Sequence, residues 1–193
     1  MKHAVTKELF AYWDRRRGLR DLPERREIDP GAIRHILGNT FIASNDTGFP
    51  IRLAGTHLCV MFGYELRDMP MLELWDRASR AALGQVLANG FEDNSGTVAS
   101  VSGDTADGRE VLLELLVLPL RHTGGASGRM IGTLVPLKIP FWLEVIPVER
   151  LTLGAFRHVG PAIDENALPS LVAPLTGAPQ RETFVVHEGG RRD

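Results

Sequence analysis

The amino-acid sequence predicts an α+β fold, in which an antiparallel sheet of five strands carries its helices between the second and third strands. Three observations favour this class. An amphipathic helical segment comes first, two short extended segments follow it, and a long helical segment separates these from three further extended segments. A parallel sheet would instead alternate single strands with helices along the chain.

The composition indicates a globular protein and narrows its partners. The chain has 193 residues, 44% of them hydrophobic and 24% charged, and this length suits one domain. The net charge of −2 does not provide the basic surface that nucleic-acid binding needs. No apolar run reaches the roughly 20 residues of a membrane helix, and Cys59, the single cysteine, has no internal disulfide partner. We therefore expect a cytoplasmic protein with no nucleic-acid or membrane partner.

Residues 5–17 are predicted to form the amphipathic N-terminal helix. Apolar residues recur at helical spacing on one side, and charged residues occupy the other. Three arginines suit the negative end of the helix dipole, and Gly18 can take the left-handed conformation that stops the helix. The interface candidates are Val5, Leu9, Phe10 and Trp13.

The next segments are predicted to be a helix and a hairpin. Asp29 is a capping residue, and Pro30 suits the first position of a helix that Gly38 ends. Two short strands follow, over residues 40–43 and 51–54. The turn between them has the sequence Asn-Asp-Thr-Gly, which is typical of hairpins.

Two helices are predicted between the second and third strands. Thr56 can cap a helix of barely two turns, which Gly63 terminates. A longer helix begins at Asp76, because apolar residues recur there every three or four positions. Three strands then complete the sheet, over residues 98–105, 110–120 and 130–137.

The predicted strand over residues 110–120 has apolar residues at both odd and even positions. Both of its faces therefore need cover. The helices between strands two and three can cover only one face. We infer that the N-terminal helix, a partner subunit, or both cover the other.

Prolines punctuate the sequence after residue 139. The chain therefore divides into an N-terminal helix and linker, a central domain, and a Pro-rich C-terminal tail that we expect to be partly ordered. Apolar pieces of the tail are expected to dock on the domain or on a neighbour. The three parts are residues 1–27, 28–139 and 140–193.

Several strings resemble a bacterial family of small stand-alone PAS-domain proteins. The most specific is Arg-Leu-Ala-Gly-Thr at 52–56, together with Ile-Asp-Pro at 28–30, Phe-Gly-Tyr-Glu-Leu at 62–66 and Leu-Trp at 74–75. Arg67 and the aspartate after it depart from the Thr-Gly-like pair that we expect there. The resemblance implies a sensory or adaptor domain, often dimeric, and transfers neither a catalytic residue nor a ligand.

The sequence favours none of three kinds of bound group, namely haem, flavin and a metal ion. Some PAS domains hold haem through a histidine, commonly on the long helix, but residues 76–91 contain none, and His35 and His57 stand alone. The flavin chemistry of light-sensing PAS domains needs an Asn-Cys-Arg-Phe-like string, which the surroundings of Cys59 do not match. The six histidines are scattered without ligand spacing. We expect no haem, flavin or metal ion.

The charged residues suggest no catalytic machinery. Glu114, inside an apolar strand, is a buried carboxylate with a raised pKa, or it lies at a sheet edge or forms a salt bridge with a covering helix. The arginines between residues 15 and 26 are interleaved with acidic residues, which favours a solvated, salt-bridged face. We expect no catalytic residue.

What remains is an apolar pocket between the sheet and the helices, with polar groups at its mouth. In the alternative interpretation the same residues simply fill a core. The apolar candidates are Phe41, Leu53, Phe62, Leu74, Trp75, Leu83, Leu87, Leu113, Leu115 and Ile131. The polar candidates are Arg52, Thr56 and His57.

These features favour a cytosolic sensory module that binds a small molecule or a protein partner. It passes the signal to another protein through the packing of its N-terminal helix. A ligand-free, dimerising interaction adaptor and a small enzyme on an α+β scaffold are the alternatives. A sealed core favours the adaptor, and a lined cavity favours the sensor. We expect a homodimer.

Overall fold

The computed structural model describes residues 1–122 and 128–160. Within them lies one antiparallel sheet of six strands in the order β2-β1-β5-β4-β3-β6. The predicted α+β class is confirmed, with one strand more than the five predicted. The remainder of the predicted tail, residues 161–193, lies outside the described residues.

The strands of the sheet are β1 (Thr40–Ser44), β2 (Ile51–Ala54), β3 (Gly96–Thr105), β4 (Glu110–Leu120), β5 (Arg129–Pro136) and β6 (Val148–Val159).

Three α-helices lie in the described part, namely α1 (Ala4–Arg17), α2 (Thr56–Phe62) and α3 (Arg77–Glu92). All three were predicted from the sequence. Gly18 ends α1 with a φ of 59°, and Gly63 ends α2 in the left-handed conformation. The Asp76 carboxylate accepts hydrogen bonds from the first backbone N–H groups of α3, as its capping role predicts.

The helix predicted after Asp29 is wrong, although the predicted cap is present. The Asp29 carboxylate accepts a hydrogen bond from the Gly31 N–H at 2.9 Å. The chain then forms two 3-10 turns, Pro30–Ile33 and Leu37–Asn39. Glycines at positions 31 and 38 disfavour a regular helix, so backbone bonds between residues three apart replace the α-helical ones.

The inner face of the sheet is covered by α2, α3 and the 3-10 turn Met71–Leu74, as predicted. Their buried side chains and those of the strands form one cluster, which we call the inner core. Every second residue of β4 enters it because strand side chains alternate between faces. Those residues are Val111, Leu113, Leu115 and Val117.

The outer face is covered by α1, which confirms the inference that the N-terminal helix supplies the second cover. Leu9 and Trp13 are fully buried against this face, in a cluster that we call the outer core. The Trp13 indole N–H donates to the Pro119 carbonyl at 2.8 Å. The four predicted interface residues therefore pack within this chain, since Val5 and Phe10 are half-buried against the same cluster.

The sixth strand was not predicted, because β6 lies at the sheet edge and only three of its residues are buried. Its pairing with β3 shifts register opposite Ser100, so the alternation of apolar residues is broken. Before the shift Leu151 faces the inner core, whereas after it Val159 faces the outer core. Together with buried Trp142, this strand extends the folded domain beyond the predicted boundary at residue 139.

Candidate functional site

The predicted pocket between the sheet and the helices is a buried cavity of about 20 Å³, which we call the inner cavity. Such a volume holds about one water molecule, whereas small-molecule pockets typically exceed about 300 Å³. Three further predicted residues lie in the inner core without lining the cavity, namely Leu83, Leu87 and Leu113. Five predicted residues line it: Phe41, Phe62, Leu74, Trp75 and Leu115.

Trp75 gives the inner cavity its one notable polar feature. The side chain is 1% exposed, and its indole N–H has no hydrogen-bond partner in the described part of the chain. A buried donor without an acceptor is costly, and buried tryptophans usually have a partner. The Trp75 indole N–H is therefore a buried donor without an acceptor, on a residue that lines an otherwise apolar cavity.

Two apolar predictions are wrong because of strand register. Ile42 pairs with Leu53 on one side and with Ile131 on the other. All three line one surface on the outer face, while Phe41 and its neighbours face the inner cavity. Leu53 and Ile131 therefore point away from the predicted pocket.

The polar candidates are also placed outside the inner cavity. Arg52 lies on the edge strand β2, where its guanidinium pairs with Asp46 at 3.4 Å and Asp68 at 3.1 Å. Thr56 is exposed at the start of α2 and contributes to a groove on the outer face. His57 is exposed too, and it lines a different groove, on the other side of the start of α2.

A groove of about 410 Å³, which we call the front groove, opens where β5 ends. It lies between α2 and the segment that follows β5, and its volume is in the range of small-molecule sites. The sequence did not reveal it, because its walls come from residues far apart in the chain. They are His3, Asn39, His57, Leu58, Val60, Met61, Leu134, Val135, Pro136, Ile139, Leu143 and Glu144.

The front groove and the inner cavity share two wall residues. Leu58 on α2 and Leu134 on β5 line both spaces. Each is at most 5% exposed. These two buried side chains therefore form the wall that separates the groove from the cavity.

His3 connects the front groove to helix α1. Its ring Nδ1 accepts a hydrogen bond from the Val5 N–H at 3.2 Å and so caps the helix. Its backbone N–H donates to Glu114 at 3.0 Å, and that of Lys2 donates to the same carboxylate at 2.6 Å. A side chain that lines the groove thus belongs to the first turn of α1.

Glu114 is a buried carboxylate on the outer face of β4, 6% exposed. Burial raises the pKa of Glu114. The hydrogen bonds from the backbone N–H groups of Lys2 and His3 lower it, and the net result is a pKa below the usual value. The predicted raised pKa is therefore wrong, whereas the carboxylate does bond to the start of the covering helix α1, through backbone N–H groups. Glu114 therefore fastens the start of α1 as an anion.

The cysteine and the other candidate histidine are not placed for catalysis or metal binding. Burial raises the pKa of the Cys59 thiol, which disfavours the reactive thiolate. His35 pairs with Glu8 on the surface. Within residues 1–122 and 128–160, no group of three potential ligand side chains could hold a metal ion. In the same ranges, no helix is both long and apolar enough to cross a membrane.

Three of the arginines near the N-terminus form salt bridges of the predicted kind. Arg17 pairs with Asp14 at 2.7 Å. Two further pairs, Arg20 with Glu27 and Arg26 with Glu24, lie at 2.9 and 2.6 Å.

A family model described as a PAS domain matches residues 1–135 of the chain. This chain belongs to the PAS-domain family. PAS domains are sensory modules that bind small molecules and signal. No curated protein matches this PAS-domain protein.

Solved structures similar to this PAS-domain protein include three PAS or light-oxygen-voltage domains. A light-oxygen-voltage domain studied with a flavin analogue is 17% identical, with 56% of this chain and 83% of that chain covered and a TM-score of 0.45. The PAS domain of an HTR-like protein from Haloarcula marismortui is 17% identical, with coverages of 55% and 90% and a TM-score of 0.42. The light-oxygen-voltage domain of a blue-light activated histidine kinase from Erythrobacter litoralis is 17% identical, with coverages of 52% and 96% and a TM-score of 0.42.

Proposed function

We propose that this PAS-domain protein is a cytoplasmic, non-catalytic sensory module that binds a small molecule and signals through helix α1. One observation carries the proposal. The front groove, about 410 Å³ in volume, shares its wall with the inner cavity and reaches the residue that caps α1. A ligand in this groove therefore contacts both the inner core and the start of the helix.

The lining of the two spaces favours a largely apolar ligand with one hydrogen-bond acceptor. Eight of the twelve residues that line the groove are apolar, and the inner cavity is lined by apolar residues. Displacement of Leu58 and Leu134 would admit part of the ligand to the cavity. There the unpaired Trp75 indole N–H would donate to the acceptor.

The output in this proposal is the packing of α1 on the outer face. Two buried side chains, Leu9 and Trp13, hold the helix on the sheet, while the Glu114 carboxylate holds its first residues. A ligand that moves His3 disturbs the helix cap and both bonds to Glu114. Release of α1 exposes the apolar outer core to a downstream protein, and the sensor itself acts as a homodimer.

The first test uses the fluorescent probe anilinonaphthalene sulfonate with a variant that fills the groove. Val60 is 48% exposed and lines the front groove. We expect saturable probe binding by the wild type, and loss of that binding in Val60→Trp. Leu112→Trp is the matched control, because Leu112 is 59% exposed and lies outside the front groove. Equal binding by all three proteins would contradict the proposed site.

The second test is native mass spectrometry of the freshly purified protein. We expect a dimer that carries a small molecule, and loss of this molecule in Val60→Trp. A ligand-free protein in both cases would remove the sensory proposal. The same spectrum reports the number of subunits.

A ligand-free dimerising adaptor is the second candidate, because the inner cavity holds only about 20 Å³. The segment after β5 also exposes three apolar side chains, Ile139, Phe141 and Val145, at 73–91% of their surface. In this case the exposed segment would form the dimer contact. Phe141→Asp would then yield monomers in size-exclusion chromatography with light scattering, whereas a sensor that dimerises elsewhere would stay dimeric.

A further inference from the structure

A second groove, of about 290 Å³, lies on the outer face of the sheet, and we call it the outer groove. One wall is formed by the segment that carries the two 3-10 turns, and the other by β1, β2 and β5. Its lining residues are mostly apolar. The central ones are Ile28, Ile33, Ile42, Leu53 and Ile131.

The outer groove is distinct from the front groove, with which it shares no lining residue. The two meet at a tight corner, where the Gly38 backbone lies against the His57 ring. Gly38 lines the outer groove, and His57 lines the front groove. Strand register places Leu53 beside Ile42 on the floor of the outer groove, and Leu53 is 46% exposed.

Arg25 is the one charged residue among those that line the outer groove. Its position is set by its backbone, whose N–H donates to the Arg121 carbonyl at 2.8 Å. The side chain is half-buried. Within residues 1–122 and 128–160, its guanidinium has neither an ion pair nor a side-chain hydrogen bond.

The acidic residues closest to Arg25 in sequence are already paired. Glu24 binds Arg26 at 2.6 Å, and Glu27 binds Arg20 at 2.9 Å. No counter-charge among the described residues compensates the positive charge of Arg25 beside this apolar surface. The planar fork of arginine matches a carboxylate through two parallel hydrogen bonds. The charge of the groove is thus complementary to an anionic group at the end of an apolar body.

We propose that the outer groove binds a small monocarboxylic acid with an apolar body. Its carboxylate forms a bidentate pair with Arg25, and its body lies along Ile42, Leu53 and Ile131. The volume of about 290 Å³ fits a short alkyl chain or a single ring rather than a long lipid. This site is separate from the front groove and stands whether or not the proposed function is correct.

The test is isothermal titration calorimetry of the full chain with octanoate, at concentrations at which octanoate forms no micelles. We expect wild-type binding that Arg25→Gln weakens by about tenfold or more, the effect of a lost charge-assisted pair. Arg26→Gln is the matched control, because Arg26 is adjacent, is 77% exposed at its side chain and does not line the groove. Octanol has the same body without the charge, so we expect its weaker binding to be equal in the wild type and Arg25→Gln.

Two further variants keep the test decisive if Arg25→Gln does not fold. Leu53→Trp fills the outer groove from an exposed position, so we expect it to abolish octanoate binding. Val60→Trp fills the front groove and leaves octanoate binding unchanged. The proposal is overturned by undetectable octanoate binding to the wild type, by equal binding to Arg25→Gln, or by loss of binding in Val60→Trp alone.

Discussion

The two faces of the sheet are covered in different ways. The inner cover, α2 to α3, is inserted in the chain between β2 and β3 and leaves a cavity of only about 20 Å³. The outer cover comes from the N-terminal segment and leaves an open groove of about 290 Å³ beside it. The inner cover is joined to β2 and to β3, whereas α1 is held on the sheet by the packing of Leu9 and Trp13 and by Glu114. In the proposed function, the outer cover is the part that is released.

The largest effect is expected from Trp13→Ala, which removes the central contact of the outer cover. Trp13 is fully buried, and its indole N–H is bonded to Pro119. We expect a loss of about 3–5 kcal/mol in the free energy of unfolding, measured in urea. Phe10→Ala removes a half-buried ring from the same helix and should cost much less. Similar losses in both variants would mean that α1 is not anchored through Trp13.

A loss of about 2–5 kcal/mol is expected from Leu58→Ala, which removes part of the wall between the inner cavity and the front groove. The two spaces become continuous, so the fluorescent probe should bind more tightly than to the wild type. Val60→Ala, on the exposed side of α2, is the control and should change stability by less than about 0.5 kcal/mol. Unchanged probe affinity in a folded Leu58→Ala protein would show that the two spaces do not communicate.

Glu114→Gln tests the fastening at the start of α1. The amide keeps the shape of the side chain but loses the charge that accepts two backbone N–H groups. We expect a cost of about 1.5–3 kcal/mol, with faster hydrogen exchange in residues 4–17 than in α3. Glu110→Gln changes an exposed carboxylate on the same strand and serves as the control. Equal exchange of α1 in both variants would contradict the fastening role.

The pH dependence of stability offers a smaller effect from the same carboxylate. The folded-state pKa of Glu114 lies below its unfolded value of about 4.5, so its contribution is complete above the unfolded pKa. It is lost as the pH falls through the lower, folded pKa. We expect the melting temperatures of the wild type and Glu114→Gln to converge as the pH falls below about 4.5. A constant difference down to the lowest pH would contradict the assigned pKa direction.

Local patterns predicted much of this fold. Capping at Asp76, termination at Gly63 and the double-sided apolar pattern of β4 follow from the residues themselves, and they located α3, α2 and the need for two covers. Strand β6 was not predicted, because a bulge and its position at the sheet edge remove the alternation of buried and exposed residues. The helix predicted after Asp29 failed because two glycines favour tighter turns.

The grooves were less accessible to sequence reasoning than the fold. The direction of Leu53 and Ile131 depends on strand register, which a single strand does not reveal. The front groove joins His3, α2 and the segment after β5, and nothing in the sequence relates these three regions. Arg25 looked like one member of a salt-bridged cluster, and only the structure separates it from its paired neighbours.

Hydrogen exchange with mass spectrometry, on the wild type and Val60→Trp, tests the link between the front groove and α1 most directly. The introduced indole occupies the groove as a covalently attached substitute for a ligand. We predict faster exchange in residues 4–17 of Val60→Trp, unchanged exchange in residues 77–92, and wild-type behaviour in Leu112→Trp. Identical exchange of residues 4–17 in all three proteins would contradict signalling from the groove to the helix.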